Sequence, residues 1–468
     1  MFRPKFDQDS PPISISAEPI RDWGFGFVTG HRTRVVICMV VVNFVLIGWY
    51  LMSPIAKMST TTFDHVWSWA SLLWLSPLLS GTLGLFGTMT YRHPEDLDQA
   101  QPINRAICWR IVTAGKNIGV VLSTIRRCQS EMARSPLAQY IIEVVIDECD
   151  NVHRLPMDHE DVRIIVVPRD YRAPNGSRFK ARALHYALLH SPIADTTWIV
   201  HLDEETQPTS SSIKGICKFI AQEEESEALR IGQGAILYHR EWKRHPFLTL
   251  ADNFRTGDDL ARFYFQHQFG ITFFGLHGSY IVIRNDIEKA TGGFDFGPHG
   301  DITEDSFWAV KAMEDGRRCA WVHGYLEEQS CMSVLDFLRQ RRRWFQGLVK
   351  VSLHAPVKLR WRLCLGLNTI LWGLSPLGIF YTIGNCFHHV YISPVIMALA
   401  SFSSAAFVTF NITGLKINMD EHGIRSRRRR LILTVFQLML IPVFSAMESF
   451  AALWALFTPT KGFQVVKK

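Results

Sequence analysis

The sequence predicts an α/β domain, a Rossmann-like sheet with flanking helices, attached to a helical transmembrane region of about five spans. Three observations predict it. Apolar segments long enough to cross a bilayer lie towards both ends of the chain. Between them, short apolar runs alternate with amphipathic stretches of helical period. The 468 residues are 47% apolar, with 14 Trp and 31 Phe, yet the mean hydropathy is only +0.06, the average of membrane segments and a polar globular part.

Residues 1–33 are polar, with Pro11-Pro12 and Ser/Ile alternation, and read as a cytosolic tail. Residues 34–91 hold two transmembrane helices, Val35–Met52 and Val66–Thr90. The first is too long for a signal h-region and lacks a small-residue cleavage site, so it reads as an uncleaved anchor. Arg21, Arg32 and Arg34 precede it, whereas the 53–65 connector holds only Lys57 and Asp64. The positive-inside bias then places the N-terminus and the part after Tyr91 in the cytosol. The net charge of +7 sits largely in short basic runs beside apolar segments, which points to membrane orientation and away from nucleic acid.

Residues 104–333 form the globular domain. Its strand candidates are Trp109–Val112, Ile141–Ile146, Val162–Val167, Trp198–Asp203, Ala235–Tyr238, Ser279–Ile283 and Cys319–Val322. Phe179, Ala183, Tyr186 and Ala187 line one helix, and Ile213, Ile216, Cys217 and Ile220 another, with Thr209 or Ser210 as its cap. This alternation predicts a parallel sheet with binding at the carboxyl ends of its strands, where Asp147 and Asp203 fall. Residues 334–358 read as an interfacial amphipathic helix. Residues 362–457 hold three more spans, Leu363–Asn385, Val390–Leu415 and Leu431–Phe457, before a 458–468 tail. The loop ending in Arg425-Ser426-Arg427-Arg428-Arg429-Arg430 supports the same orientation. Nine scattered cysteines without a CxxC pair read as reduced thiols in a cytosol-facing protein.

Four groups of residues carry candidate chemistry. Asp203-Glu204-Glu205 ends an apolar strand; alternation points Asp203 and Glu205 the same way and Glu204 elsewhere. Two carboxylates plus substrate phosphates suit Mg²⁺ or Mn²⁺; a solvated acidic strand end is the other reading. Asp305, in Ile302-Thr303-Glu304-Asp305, is a candidate general base; on its own the stretch favours a helix cap by Thr303 and its neighbours, and a base at a helix start is held by such a cap. In Gln340-Arg341-Arg342-Arg343-Trp344, helical spacing puts Gln340, Arg343 and Trp344 on one face, suited to a diphosphate and a sugar ring. For Arg341 and Arg342, lipid headgroups are the favoured partners. Finally, Thr113-Ala114-Gly115 and Asp147 end two strands where a nucleotide would approach, and Lys180 can reach a phosphate. Arg182 reads as part of a solvated helix face. Glu448, inside the last span, must face the bundle or a polar ligand.

In this order, over roughly residues 105–350, these motifs resemble the family-2 glycosyltransferases, which have a GT-A fold. The carrying motifs are Asp147, Lys180-Ala181-Arg182-Ala183-Leu184, Asp203–Glu205, Thr303-Glu304-Asp305 and Gln340-x-x-Arg343-Trp344. His201–Thr206, His277–Tyr280, Gly300–Phe307 and Leu335–Gly347 look more narrowly like the egghead-type β-1,4-mannosyltransferases. The resemblance implies a mixed GT-A sheet and inverting transfer of mannose from GDP-mannose to the glucose of glucosylceramide. It assigns the metal (Mn²⁺ or Mg²⁺) to Asp203 and Glu205 and the base to Asp305. It assigns donor contacts to Thr113, Ala114, Gly115, Asp147, Lys180, Gln340 and Arg343. It assigns acceptor contacts to Trp344, His277 and Glu304, in an endomembrane (ER or Golgi) enzyme with a cytosolic catalytic domain. A processive hyaluronan- or chitin-type synthase using a UDP-sugar shares the motif set. A membrane transporter or lipid-binding protein would explain the spans and Glu448 but leave the carboxylates and arginines idle.

Overall fold

The computed structural model describes residues 30–52, 61–92, 97–157, 159–240, 242 and 244–459. The expectations for residues 1–29, for most of the 53–65 connector and for the last nine residues lie outside the described residues.

All seven predicted strands form, in one sheet. β1 (Ala106–Thr113), β2 (Gln139–Asp147), β3 (Val162–Val167), β4 (Trp198–Asp203), β5 (Ile231–Leu237), β6 (Ile281–Arg284) and β7 (Cys319–Glu327) lie in the order β3-β2-β1-β4-β6-β5-β7. The sheet is mixed, which corrects the parallel arrangement expected from strand–helix alternation: β6 runs antiparallel to both β4 and β5. The reason is topological. The chain leaves β5 at the carboxyl edge, makes a helical excursion over residues 246–268, and re-enters at the same edge, where Ile281 pairs His201. A strand starting at that edge has to run back. Val112 pairs Asp203 and Thr113 pairs Ile146, so Thr113, Asp147 and Asp203 share this edge.

Alternation sorts the two faces. Ile107, Trp109, Ile111, Val200 and Leu202 pack under α4 (Ile118–Arg134) and α6 (Ser210–Ser226). Thr209, not Ser210, caps α6 with its hydroxyl. Cys108, Val112, Ile199 and Ile281 face α5 (Phe179–His190), α9 (Asn285–Ala290) and α10 (Glu304–Glu314). This second face also buries a line of charge. In register across β3, β2, β1 and β4 stand Arg163, Glu143, Arg110 and His201. Arg110 Nε donates to Glu143 at 2.8 Å, and Glu288 of α9 meets both Arg110 and His201, at 3.5 and 3.0 Å. Buried charges persist only when paired in this way.

Among the described residues, five helices or helical units are long and apolar enough to cross a membrane: α1 (His31–Met52), the unit Thr62–Thr90, α12 (Leu359–Phe387), α13 (Pro394–Glu421) and α14 (Arg427–Phe457). The second is not one helix. It is α2 (Thr62–Trp69), a 3₁₀ stretch Ala70–Leu75 and α3 (Leu78–Thr90), interrupted at Ser76-Pro77, because proline supplies no amide and clashes with the preceding turn.

The sheet domain is joined to this bundle through its excursion, α7 (Pro246–Asp258), a π-helical turn Asp259–Phe263 and α8 (Tyr264–Gln268). Glycines let the backbones touch. A Cβ on Gly257 would stand 1.9 Å from Phe410 O, and one on Gly414 1.9 Å from Asn253 O. A buried amide network crosses the same contact: Asn253 donates to Gln437, Gln437 to Asn411, and Asn418 to Asn253 and Thr256. Small residues and interhelical amides hold helices together where lipid offers no hydrophobic drive. α11 (Val334–His354), capped by Ser333, lies between the sheet domain and α12 and α14. Gly414→Leu should therefore destabilise the protein by about 1–3 kcal/mol or more through overpacking, read as a fall in Tm in detergent. An unchanged Tm would mean that the two backbones do not meet here.

Candidate active site

The site grows from the end of β4. Asp203 is the last strand residue, and the backbone turns directly after it, Thr206 N donating to Asp203 O. Glu204 points back towards β1: its two carboxylate oxygens accept from Thr113 Oγ1 and Asn117 Nδ2, both at 2.6 Å, and its carbonyl accepts from Thr124 Oγ1. Burial raises its pKa, the two hydrogen bonds counter that rise, and the neighbouring Glu205 and Asp203 add to it. Glu204 therefore braces the β1 loop; it lies in the turn after Asp203, beyond the strand on whose alternation its expected direction rests. Glu205 is buried, and its carbonyl accepts from Arg240.

Lys180, in the first turn of α5, comes to the other side of Asp203. Its ammonium donates to Asp203 Oδ1 at 2.5 Å and to Gly278 O at 3.0 Å, and lies 3.5 Å from Glu304. Burial opposes its charge, but Asp203 and Glu304 outweigh burial and hold Lys180 protonated. Asp305 completes the group at the start of α10, its Oδ1 accepting from Ser306 N at 2.7 Å. Burial and then the Glu304 charge push Asp305 up to about 7, while Lys180 and the Ser306 amide pull the other way. A carboxylate that titrates near neutrality is matched to general-base work. Gly278 makes the convergence possible: a Cβ there would lie 2.9 Å from Lys180 Nζ and 3.1 Å from Asp305 Oδ2.

Asp203, Lys180, Glu304 and Asp305 thus stand together. The nucleotide-side residues lie along the same edge. Thr113 spends its hydroxyl on Glu204 and Gly115 N, Ala114 is exposed, and Gly115 takes φ +74° with its carbonyl accepting from Asn151. Asp147 is held by Arg182 at 2.5 Å. That corrects the solvated-face reading of Arg182, whose guanidinium reaches across to β2 and is largely buried there. His277 pairs Asp259 of the π-helical turn at 2.6 Å; burial opposes its protonation, and Asp259 outweighs burial and raises its pKa.

α11 brings the arginine run. Arg341 is not at lipid headgroups. It is buried, and it donates to Asp252 of α7 at 2.7 Å, to Glu448 of α14 at 2.6 Å and to Gln340 Oε1 at 2.6 Å. This identifies the partner of Glu448 and takes up the carbonyl end of Gln340. Arg342 donates to the carbonyls of Thr458 and Pro459 at the end of α14, again a protein contact. Arg343 is half-buried on α11, and the guanidiniums of Arg341 and Arg255 lie 4.3 and 4.8 Å from the ring centre of Trp344. Thr303 makes no capping hydrogen bond, contrary to the cap expected there.

Among the described residues, no group of three or more His, Cys, Asp and Glu side chains is arranged to hold a metal ion. The donor chemistry of Asp203 and Glu205 nevertheless suits a hard cation whose remaining ligands come from substrate phosphates and water. Sequence reasoning missed Gly278, Asn117, Asp252 and Asp259. Each acts through a partner far along the chain, and only the His277-Gly278-Ser279-Tyr280 resemblance drew attention to any of them. Glu204→Ala should leave Thr113 and Asn117 without their acceptor and cost about 1–3 kcal/mol in thermal denaturation. A silent substitution would contradict the bracing role.

A family model described as glycosyl transferase family group 2 matches residues 198–417. The β-1,4-mannosyltransferase egh of Drosophila melanogaster is 31% identical over 367 residues, covering 77% of this chain and 78% of that protein. The β-1,4-mannosyltransferase bre-3 of Caenorhabditis elegans is 30% identical over 430 residues, covering 89% and 90%. Among solved structures, the mannosyltransferase PcManGT from Pyrobaculum calidifontis, in complex with GDP-Man and Mn²⁺, aligns over 90% of this chain and 99% of that one at 12% identity, with a TM-score of 0.43.

Proposed function

The chain belongs to the β-1,4-mannosyltransferase family of the group-2 glycosyltransferases, and we propose that it moves a single mannose from GDP-mannose to the glucose of glucosylceramide, with inversion. The observation that carries the reading is Asp305, pushed up to about 7 and set beside Lys180 and Asp203 at the carboxyl edge of the sheet. One base and one activated leaving group are what a single displacement needs.

In this reading the Asp305 carboxylate takes the proton from the acceptor hydroxyl as that oxygen bonds to C1 of the sugar. The bond from C1 to the diphosphate oxygen breaks, and the nucleoside diphosphate departs. Lys180 offers positive charge near the departing group and keeps Asp203 in place. Asp203 and Glu205 would hold Mn²⁺ or Mg²⁺, which supplies charge neutralisation on the diphosphate. The β1 loop and Asp147 receive the nucleotide, with Gln340 and Arg343 towards the diphosphate and Trp344, His277 and Glu304 towards the acceptor. The five candidate spans fit a membrane protein; in this reading its acceptor is lipid-linked and its catalytic domain faces the cytosol of an endomembrane.

Purified protein given GDP-mannose, Mn²⁺ and glucosylceramide should yield lipid carrying one added mannose. No mannosylated lipid with any divalent metal sinks the substrate assignment, and a ladder of oligomers indicates a processive synthase. Asp305→Asn should retain donor binding and lose turnover by about 10²–10⁴-fold.

The pH dependence has a definite sign. A base works deprotonated, so kcat/KM should fall about tenfold per unit as pH drops below about 7 and level off above it. Lys180 lowers the Asp305 pKa, so Lys180→Gln should move that limb to higher pH; a move to lower pH would contradict the assignment.

A further inference from the structure

α11 crosses the start of α10 at a contact that leaves no room for a side chain. A Cβ on Gly347 would stand 2.1 Å from Thr303 Cγ2, 2.5 Å from its Oγ1 and 2.8 Å from its Cβ. Thr303 is the N-cap residue of α10, two positions before Asp305. A threonine there normally gives its oxygen to an amide of the first turn, as Thr209 does for α6 and Ser333 does for α11. Thr303 does not. Its hydroxyl is buried without a hydrogen-bond partner among the described residues, and Asp305 itself takes up the Ser306 amide. The side chain of Thr303 is thus committed to α11 by shape.

The contact is anchored from behind. Six residues earlier on α11, Arg341 is locked to Asp252 of α7 and Glu448 of α14, so Gly347 carries the position of the membrane bundle to the first turn of α10. Gly278 in turn admits the Asp305 carboxylate, with 3.1 Å between a Cβ there and Oδ2. The start of α10 thus meets two glycines on two different parts of the protein.

We propose that Gly347 is a positioning residue for Asp305: its close contact with Thr303 sets where the carboxylate stands relative to an acceptor arriving from the membrane. This rests on Asp305 being the base. A methyl group at 347 has to displace Thr303, and a displacement of about 1 Å at a reacting group lowers turnover by roughly a hundredfold.

The test is steady-state kinetics of the full-length protein in detergent or nanodiscs with GDP-mannose and glucosylceramide. Gly347→Ala should lower kcat by roughly a hundredfold, leave KM for the donor little changed, and displace the acid limb of the pH profile, because the burial of Asp305 changes. The second variant is Thr303→Gly/Gly347→Ala. Glycine is tolerated at an N-cap, and it removes the three atoms that a methyl group at 347 would meet. It should recover most of the lost kcat and return the acid limb to its original place. Wild-type kcat in Gly347→Ala overturns the proposal, as does a folded double variant that stays as slow as the single one. If Gly347→Ala fails to fold, a folded double variant with kcat and acid limb near wild type supports the proposal, and a folded double variant slowed by roughly a hundredfold against wild type overturns it. Full turnover in Asp305→Asn would instead remove the base assignment, a result that is distinguishable because it does not involve Gly347.

Discussion

At the carboxyl end of β4 the Lys180 ammonium gathers Asp203 and Glu304, with Asp305 beside them, and that cluster of charge constrains what surrounds it. Asp203, Glu304 and Asp305 would repel one another in a partly dry site. Lys180 is the cation placed to hold them, in direct contact with Asp203 and within 3.5 Å of Glu304. Burial, and then the Glu304 charge, push the Asp305 carboxyl up to about 7. The raised Asp305 carboxyl thus follows from a single local arrangement.

That arrangement is kept in place by surroundings that are mostly rigid. Beneath it the in-register line Arg163, Glu143, Arg110 and His201 ties four strands together, and Glu288 closes it. Beside it Glu204 fixes the β1 loop with both carboxylate oxygens. On the membrane side, backbone contacts at Gly257 and Gly414 and the Arg341 lock leave little freedom between the sheet domain and the helical bundle. With the lipid-linked acceptor proposed above, such a union matters: the acceptor's depth would be set by the bilayer, and the proposed base would be set by the same frame.

Much of this was legible in the sequence, for reasons that are local. All seven strands appear as short apolar runs. The cap of α6 follows from a hydroxyl residue just ahead of an apolar period. What stayed hidden depends on distance along the chain. Arg341 sits in a basic run that reads as headgroup-binding, but its partners Asp252 and Glu448 are 89 and 107 residues away. The direction of β6 depends on the edge at which an excursion returns. Thr303 shows a capping pattern, and only the approach of Gly347 explains why it does not cap.

A single displacement assisted by one base is the central claim, and the anomeric configuration of the product tests it most directly. NMR of the glycolipid formed from α-configured GDP-mannose should show a β-mannosyl linkage from the first turnover onward, because one attack on C1 inverts it. An α-linked product would require a second displacement and a nucleophilic side chain at C1, and would contradict Asp305 acting as the base.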